Sequence, residues 1–195
     1  MNIGAEPEKL LGVDTMKSIF SKDLYRYYGD AGESLAKRML RPPELRYIAL
    51  FRRANTCKFP PLKLFYTVML KRLSYKTLIQ IPARTEIGEG FYIGHSGRVI
   101  INPDAKLGKN MNIATGVVIG SENRGKRKGA PTFDGYCWIG ANAVVVGNVH
   151  IGEDVLIAPL TFVNFDVPPH SVVIGNPAKI ISKENATEEY ICNTV

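Results

Sequence analysis

Three histidines, His95, His150 and His170, are the side chains in this sequence best suited to moving a proton. The ordinary pKa of an imidazole lies close to neutrality, so in its neutral form it can take a proton from a hydroxyl. His95 stands in the run IGHSG, two positions after an aliphatic residue, and its side chain is expected to leave the chain at a corner. His150 ends a short repeat between two aliphatic positions, and His170 follows Pro168 and Pro169. On residue type alone all three read as solvated polar groups, with a base at His95 as the alternative. The cysteines Cys57, Cys137 and Cys192 are an odd, scattered set without metal-like pairing. They read as free thiols in a reduced, cytoplasmic compartment, and no metal is expected.

The elements that must position these groups change character at residue 81. From there the sequence repeats every six residues, with hexads opening at Ile81, Ile87, Ile93 and Val99. A two-residue slip is placed before Leu107, which is followed by Ile113 and Ile119; after an insertion the register resumes at Ile139, Val145, Ile151, Ile157 and Val163. One aliphatic residue in six points to a shared interior, and the Gly that often follows it permits a tight corner. Three hexads close one triangular coil, and stacked coils bury a column of Ile, Leu and Val. The alternative, a Gly-rich β-sandwich, lacks the period-two alternation it needs.

The insertion, Ser121–Cys137, projects as a loop holding Arg124, Lys126, Arg127 and Lys128. It reads either as a solvated surface loop or as an attractor for phosphates or an anionic acceptor. Residues 1–80 read as helical, with Ser21 capping one helix that stops at Gly29. Two basic amphipathic helices follow, opened by Pro42–Pro43 and Pro60–Pro61. In the first, Leu45, Ile48 and Ala49 face inward and Arg52–Arg53 outward. In the second, Leu62, Phe65, Val68, Met69 and Leu73 form the apolar stripe.

The segment IGHSGRVIINPDAKLGKNMNIATGVVIG, the stretch APTFDGYCWIGANAVVVGNVHIG and the closing GNPAKII resemble the hexapeptide-repeat acyltransferases. Within that superfamily they are similar to serine acetyltransferases and to their relatives that acetylate polysaccharides. The resemblance implies a mainly β fold, a left-handed parallel β-helix over residues 81–181 with a loop at 121–137. A helical region, residues 1–80, precedes it and a tail, 182–195, follows. It further implies acetyl-CoA as donor, His95 as general base, and direct transfer in a ternary complex without an acyl-enzyme. Gly120, Ser121, Ala141 and Pro159 would line the pantetheine arm, with Lys179 toward its phosphate end. A site built between subunits implies a homotrimer. Glu122, Arg124, Lys126 and Asp134 are candidate substrate or loop groups, and if a carboxylate orients His95, Asp134 and Glu122 are the candidates.

Three departures bear on the acceptor. Serine acetyltransferases place an Asp where this chain has Gly94, a His where it has Ala130, and an Asp where it has Gln80. Without those charges a zwitterion is poorly held. The expected acceptor is therefore a hydroxyl of a sugar in a bacterial surface polysaccharide or its precursor. Serine O-acetylation in cysteine biosynthesis is the alternative, although the chain ends CNTV rather than in the Ile of that group. A non-catalytic β-helical scaffold is the second alternative.

The formal charge of +7 is uneven, with 13 basic and 4 acidic side chains in residues 21–80. Nucleic acid is not an expected partner, because no recognition motif accompanies the charge. Either these residues cap the open end of the β-helix, or they touch an anionic membrane surface where a lipid-linked glycan acceptor would sit. No run of about 18 apolar residues exists, so a spanning helix is not expected. The start, MNIGAEPEKLLGVD, has neither a secretory form nor Gly at position 2. The protein is expected in the cytoplasm, peripheral at most to the inner face of the membrane.

Overall fold

The computed structural model describes residues 13–195; residues 1–12, which hold most of the stretch read for targeting signals, lie outside the described residues. Helices α1 (Val13–Tyr28), α2 (Leu35–Met39), α3 (Pro43–Thr56) and α4 (Pro60–Thr77) come first. The strands that follow make three faces of a prism. The first face stacks β1 (Ile79–Gln80), β4 (Val99–Ile101), β7 (Val118–Gly120), β10 (Val144–Val146) and β13 (Phe162–Val163). On the second lie β2 (Glu86–Ile87), β5 (Lys106–Lys109), β8 (Thr132–Gly135) and β11 (His150–Ile151). The third holds β3 (Tyr92–Ile93), β6 (Asn112–Ile113), β9 (Cys137–Ile139), β12 (Val155–Ile157), β14 (Ser171–Gly175) and β15 (Ala178–Ser182). Only the closing pair β14–β15 is antiparallel among the described strands. The architecture is a left-handed parallel β-helix under a helical layer.

Ile93, Ile113, Ile139 and Ile157 stack in register on the third face and are buried. Each such side chain taken out of water contributes about 1.5–3 kcal/mol. The corners are equally demanding. A Cβ on Gly108 would overlap the carbonyl oxygen of Asp134 in the next coil, so only Gly lets these coils approach.

Two features of the register differ from expectation. Gln80 pairs with Ile100 and Ile101 with Ile119, so Ile101, not Val99, takes the interior position of its hexad. The two extra residues therefore fall between Ile93 and Ile101, in the turn carrying His95. The insertion is also shorter than read, because Phe133 stacks between Leu107 and Ile151 as a core residue of β8. What projects is a small hairpin closed by mutual backbone bonds between Glu122 and Gly129, 2.9 and 3.0 Å.

The open first coil presents backbone groups that no strand pairs, a liability in any sheet edge. Helical side chains meet them. Tyr47 Oη donates to Ile81 O and accepts from Ile81 N, both at 3.0 Å. Arg52 donates to Ile87 O and Gly88 O at 2.7 and 2.6 Å. The Asp23 carboxylate accepts from Phe91 N at 2.8 Å, and Arg26 donates to Gly90 O at 3.1 Å.

The helices themselves depart from the sequence reading in three places. Helix α1 starts well before Ser21, whose hydroxyl bonds Ser18 O inside the helix instead of capping it. Arg52 does not face water; it is 1% exposed and paired with Asp23 at 2.8 Å. Helix α4 buries Leu70, Ser74 and Thr77, while Phe65, Val68 and Met69 are exposed, because the helix is apolar on both sides. No helix among the described residues is long and apolar enough to cross a membrane.

Candidate active site

His95 sits on the edge between the third and first faces, in the turn from β3 to β4. Ala141 and Pro159 occupy the corresponding turns of later coils, each two residues past a stacked Ile. With coils about 4.8 Å apart, Ala141 lies about 10 Å and Pro159 about 14 Å further along this edge. The Gly175–Ala178 turn between β14 and β15 ends the same edge, with Lys179 exposed beside it. The edge thus forms a rail with His95 at one end and a cation at the other. Gly120, Ser121, Glu122, Arg124 and Lys126 belong to the opposite edge of the first face, between β7 and β8. There Ser121 Oγ accepts from Asn102 Nδ2 at 3.0 Å, and the hairpin's basic side chains are exposed. One chain therefore does not bring the two groups of predicted residues together.

The His95 turn is held from both flanks. Tyr27 Oη donates to Ile93 O at 2.8 Å and accepts from Ile93 N at 3.1 Å. Ser96 Oγ donates to Glu44 Oε2 at 2.6 Å. At Gly97 (φ +144°) a Cβ would overlap Thr115 Oγ1, so only Gly fits this position of the turn. The sequence reading missed Tyr27 and Glu44. A signal for Glu44 existed: it is the one acidic residue between Glu33 and Glu86.

The structure does not place Asp134 at His95. The Asp134 carboxylate bonds His150 Nε2 at 2.7 Å on the second face, and the backbone N–H of His150 donates to Asp166. Glu122 is likewise across the first face, so neither loop carboxylate orients His95 within one chain. His150 and His170 are partnered rather than merely solvated.

His170 Nδ1 lies 2.9 Å from Asp154, whose carboxylate also accepts from Ala186 N, Thr187 N and Thr187 Oγ1. This network pins residues 186–187 to the β-helix. The bond to Asp154 raises the His170 pKa. Burial alone would raise that of Asp154, but its hydrogen bonds from His170, Thr187 and Ala186 hold it below the ordinary value. A raised histidine stabilises the fold fully below its unfolded value of about 6.5 and loses that contribution as pH climbs through the raised one. Urea unfolding at pH 6 and pH 9 is expected to show higher stability at pH 6, and His170→Gln is expected to remove part of the difference. An unchanged difference in that variant would place the pH dependence elsewhere.

Beyond these strands the chain turns back along the third face toward α1. Tyr190 packs edge-on against Trp138 with ring centres 5.0 Å apart, and its carbonyl accepts from Asn112. Arg26 donates to Cys192 O at 2.8 Å, and Asn110 exchanges two bonds with the Val195 backbone.

Cysteine offers no nucleophile at the β-helix. Burial pushes the Cys137 thiol up to about 12, which leaves it protonated at neutral pH. Among the described residues no three His, Cys, Asp or Glu side chains converge to hold a metal ion.

No protein-family model matches the chain. Serine acetyltransferase 2 of Arabidopsis thaliana is 32% identical over 139 residues, spanning 66% of this chain and 43% of that protein. A Helicobacter pylori serine acetyltransferase is 34% identical over 108 residues, 55% of this chain and 63% of its own length. The chain thus spans less than two thirds of either relative. Among solved structures, Neisseria gonorrhoeae serine acetyltransferase in complex with serine matches with a TM-score of 0.75 at 26% identity, over 89% of this chain and 72% of that one. The fold is that of the hexapeptide-repeat acyltransferases. The Brucella abortus serine acetyltransferase in complex with coenzyme A, at TM-score 0.75 and 24% identity, covers 89% of this chain and 73% of its own and shares this acyltransferase fold.

These likenesses overturn the sugar-directed reading. The relatives are serine acetyltransferases, and the alternative acceptor, serine, is the one they favour. The argument from Gly94, Ala130 and Gln80 counted charge along the sequence and omitted Glu44, which α3 carries to Ser96 beside His95. The lipid-linked glycan falls with that reading, and with it the acceptor-based reason to set residues 21–80 against a bilayer.

Proposed function

We propose that this chain is an acetyl-CoA-dependent serine O-acetyltransferase with His95 as its general base. The observation that carries the reading is the rail itself. His95, Ala141, Pro159 and the Lys179 turn follow one edge of a β-helix whose relatives are serine acetyltransferases. Small residues in the middle admit an extended thioester arm, and Lys179 meets its phosphates. As the serine hydroxyl oxygen attacks the thioester carbonyl carbon, His95 takes its proton. The C–S bond then breaks, and the imidazolium returns the proton to the departing thiolate of CoA.

The working unit in this proposal is a homotrimer. Gly120, Ser121 and the basic hairpin lie on the other edge of the first face, where they complete a neighbour's rail and not their own. The protein works where acetyl-CoA and serine are available, in the cytoplasm, and no resident metal takes part.

The test is direct. Purified protein with acetyl-CoA and millimolar serine is expected to release free CoA thiol and form O-acetylserine, detected by mass spectrometry. CoA binding without O-acetylserine would sink serine as acceptor. Absence of CoA binding by calorimetry would sink the transferase reading and restore the scaffold.

A further inference from the structure

We infer that the helical layer is the positioning device for His95, with Glu44 acting through Ser96 and Tyr27 acting through Ile93. The inference rests on the assignment of His95 as general base and asks what holds that base still.

The turn from β3 to β4 is two residues longer than a regular corner, and a longer turn has more conformations to lose. A general base works only where its nitrogen lies within hydrogen-bond reach of the reacting hydroxyl, and displacement of about 1 Å can cost about 10²-fold in rate. Within the β-helix, Gly97 in this turn has no side chain to pack and its φ of +144° is open to Gly, so it adds freedom at one flank. The constraints come from the helices. Tyr27 of α1 clamps both backbone groups of Ile93, two residues before His95. Burial keeps its hydroxyl protonated, so it can donate and accept at once. Glu44 of α3 holds Ser96, the residue next to His95.

The Glu44 arrangement is specific. Its side chain belongs to a residue only 7% exposed, and a buried carboxylate is costly unless it is hydrogen-bonded. It lies in the first turn of α3, just after Pro43, where the partial positive charge of the helix start favours an anion. Ser96 is the one side-chain donor to it among the described residues. Aiming a buried carboxylate at an exposed serine contributes little to packing, but it fixes the neighbouring histidine in place.

The test is a kinetic series on the intact protein. Ser96→Ala and Tyr27→Phe are each expected to lower kcat about 10- to 100-fold, with KM for both substrates and Kd for CoA within about two-fold; Tm falls in both, because the Glu44 carboxylate or the Ile93 backbone loses a partner. Ser96→Thr, which keeps the hydroxyl, is expected to restore most of kcat. Glu44→Gln combined with Ser96→Ala is expected to be no slower than Ser96→Ala alone, since both changes remove the same link. Wild-type kcat in Ser96→Ala and Tyr27→Phe would overturn the inference. A loss in kcat that Ser96→Thr leaves unrepaired, or that Glu44→Gln repairs together with Tm in the Ser96→Ala background, would do the same and mark the contacts as structural. His95→Ala separates the two readings. If it is inactive while Ser96→Ala is normal, only the positioning role fails; if it is active, the base assignment itself is wrong.

Discussion

His95→Ala is expected to lower kcat by about 10²- to 10⁴-fold, the range that a general base supplies, while the Kd for CoA stays within about two-fold. The expectation follows from what His95 does and does not touch. It stands exposed in the β3–β4 turn, and among the described residues neither ring nitrogen has a hydrogen-bond partner. Removing it disturbs no core and breaks no network, so stability should change by no more than about 0.5 kcal/mol. The residues along the rail, Ala141 and Pro159, are untouched by the change, which is why CoA binding should survive. Thiol release under saturating acetyl-CoA and serine measures kcat, calorimetry measures CoA binding, and thermal melting checks the fold. Turnover equal to wild type would remove His95 from the chemistry. A variant that loses CoA binding together with activity would show that the histidine holds the donor and does not act as the base.

The largest effect on stability is expected at Arg52. Its guanidinium pairs with Asp23 through Nε and an Nη nitrogen at 2.8 and 3.0 Å, and donates to the carbonyls of Ile87 and Gly88. Both side chains are essentially without solvent, at 1% and 0% exposure. Arg52→Met keeps similar bulk but strands the Asp23 carboxylate in the interior and leaves two carbonyls without donors. Breaking a buried pair from one side costs about 3–5 kcal/mol. Urea unfolding of the variant should show that loss as a lower midpoint. Replacing both members, Arg52→Met with Asp23→Leu, should recover part of it, since the uncompensated charge is gone. A single variant as stable as wild type would mean that the pair and its carbonyl contacts contribute nothing net.

The β-helix was legible in the sequence because its period is imposed by geometry: each coil needs an aliphatic residue inward at every face. The same rule explains the errors. Val99 and Ile101 are both aliphatic and both buried, so the pattern alone could not say which one carried the register. Phe133 breaks the Ile, Leu and Val habit and was absorbed into the loop. Arg52 was read outward because a guanidinium is ordinarily solvated, and only the three-dimensional fold supplies an acid and two carbonyls for it. The stripe on α4 was misread because apolar residues lie all round that helix and the period no longer singles out one face.

At the candidate site, His95 and the small residues of the rail were read from the family resemblance, and the stacking of coils puts their positions on one edge. Glu44 and Tyr27 could not come that way. They reach the residues on either side of the histidine from helices that meet the turn only after folding, across 52 and 66 positions of sequence respectively for the Ser96 and Ile93 bonds. Asp134 was one of two loop candidates to orient His95, whereas the stacking of β8 on β11 delivers it to His150.

The returning segment has a consequence for how the molecule is made. Arg26 meets Cys192 O across 166 positions, and the Val195 backbone closes on Asn110. Long-range closures of this kind form late, and a chain folds from its N-terminal side as it leaves the ribosome. Helix α1 and the first coil therefore spend synthesis without their last partners. The coils can nucleate one upon another as they emerge, and α1 can dock on them through Asp23 and Tyr27, but its Arg26 bond to Cys192 O waits until residues 190–195 arrive. A nascent chain stalled short of them would hold a complete β-helix whose first helix lacks this outer contact, so synthesis of residues 190–195, and not growth of the coil, supplies the last bond to α1.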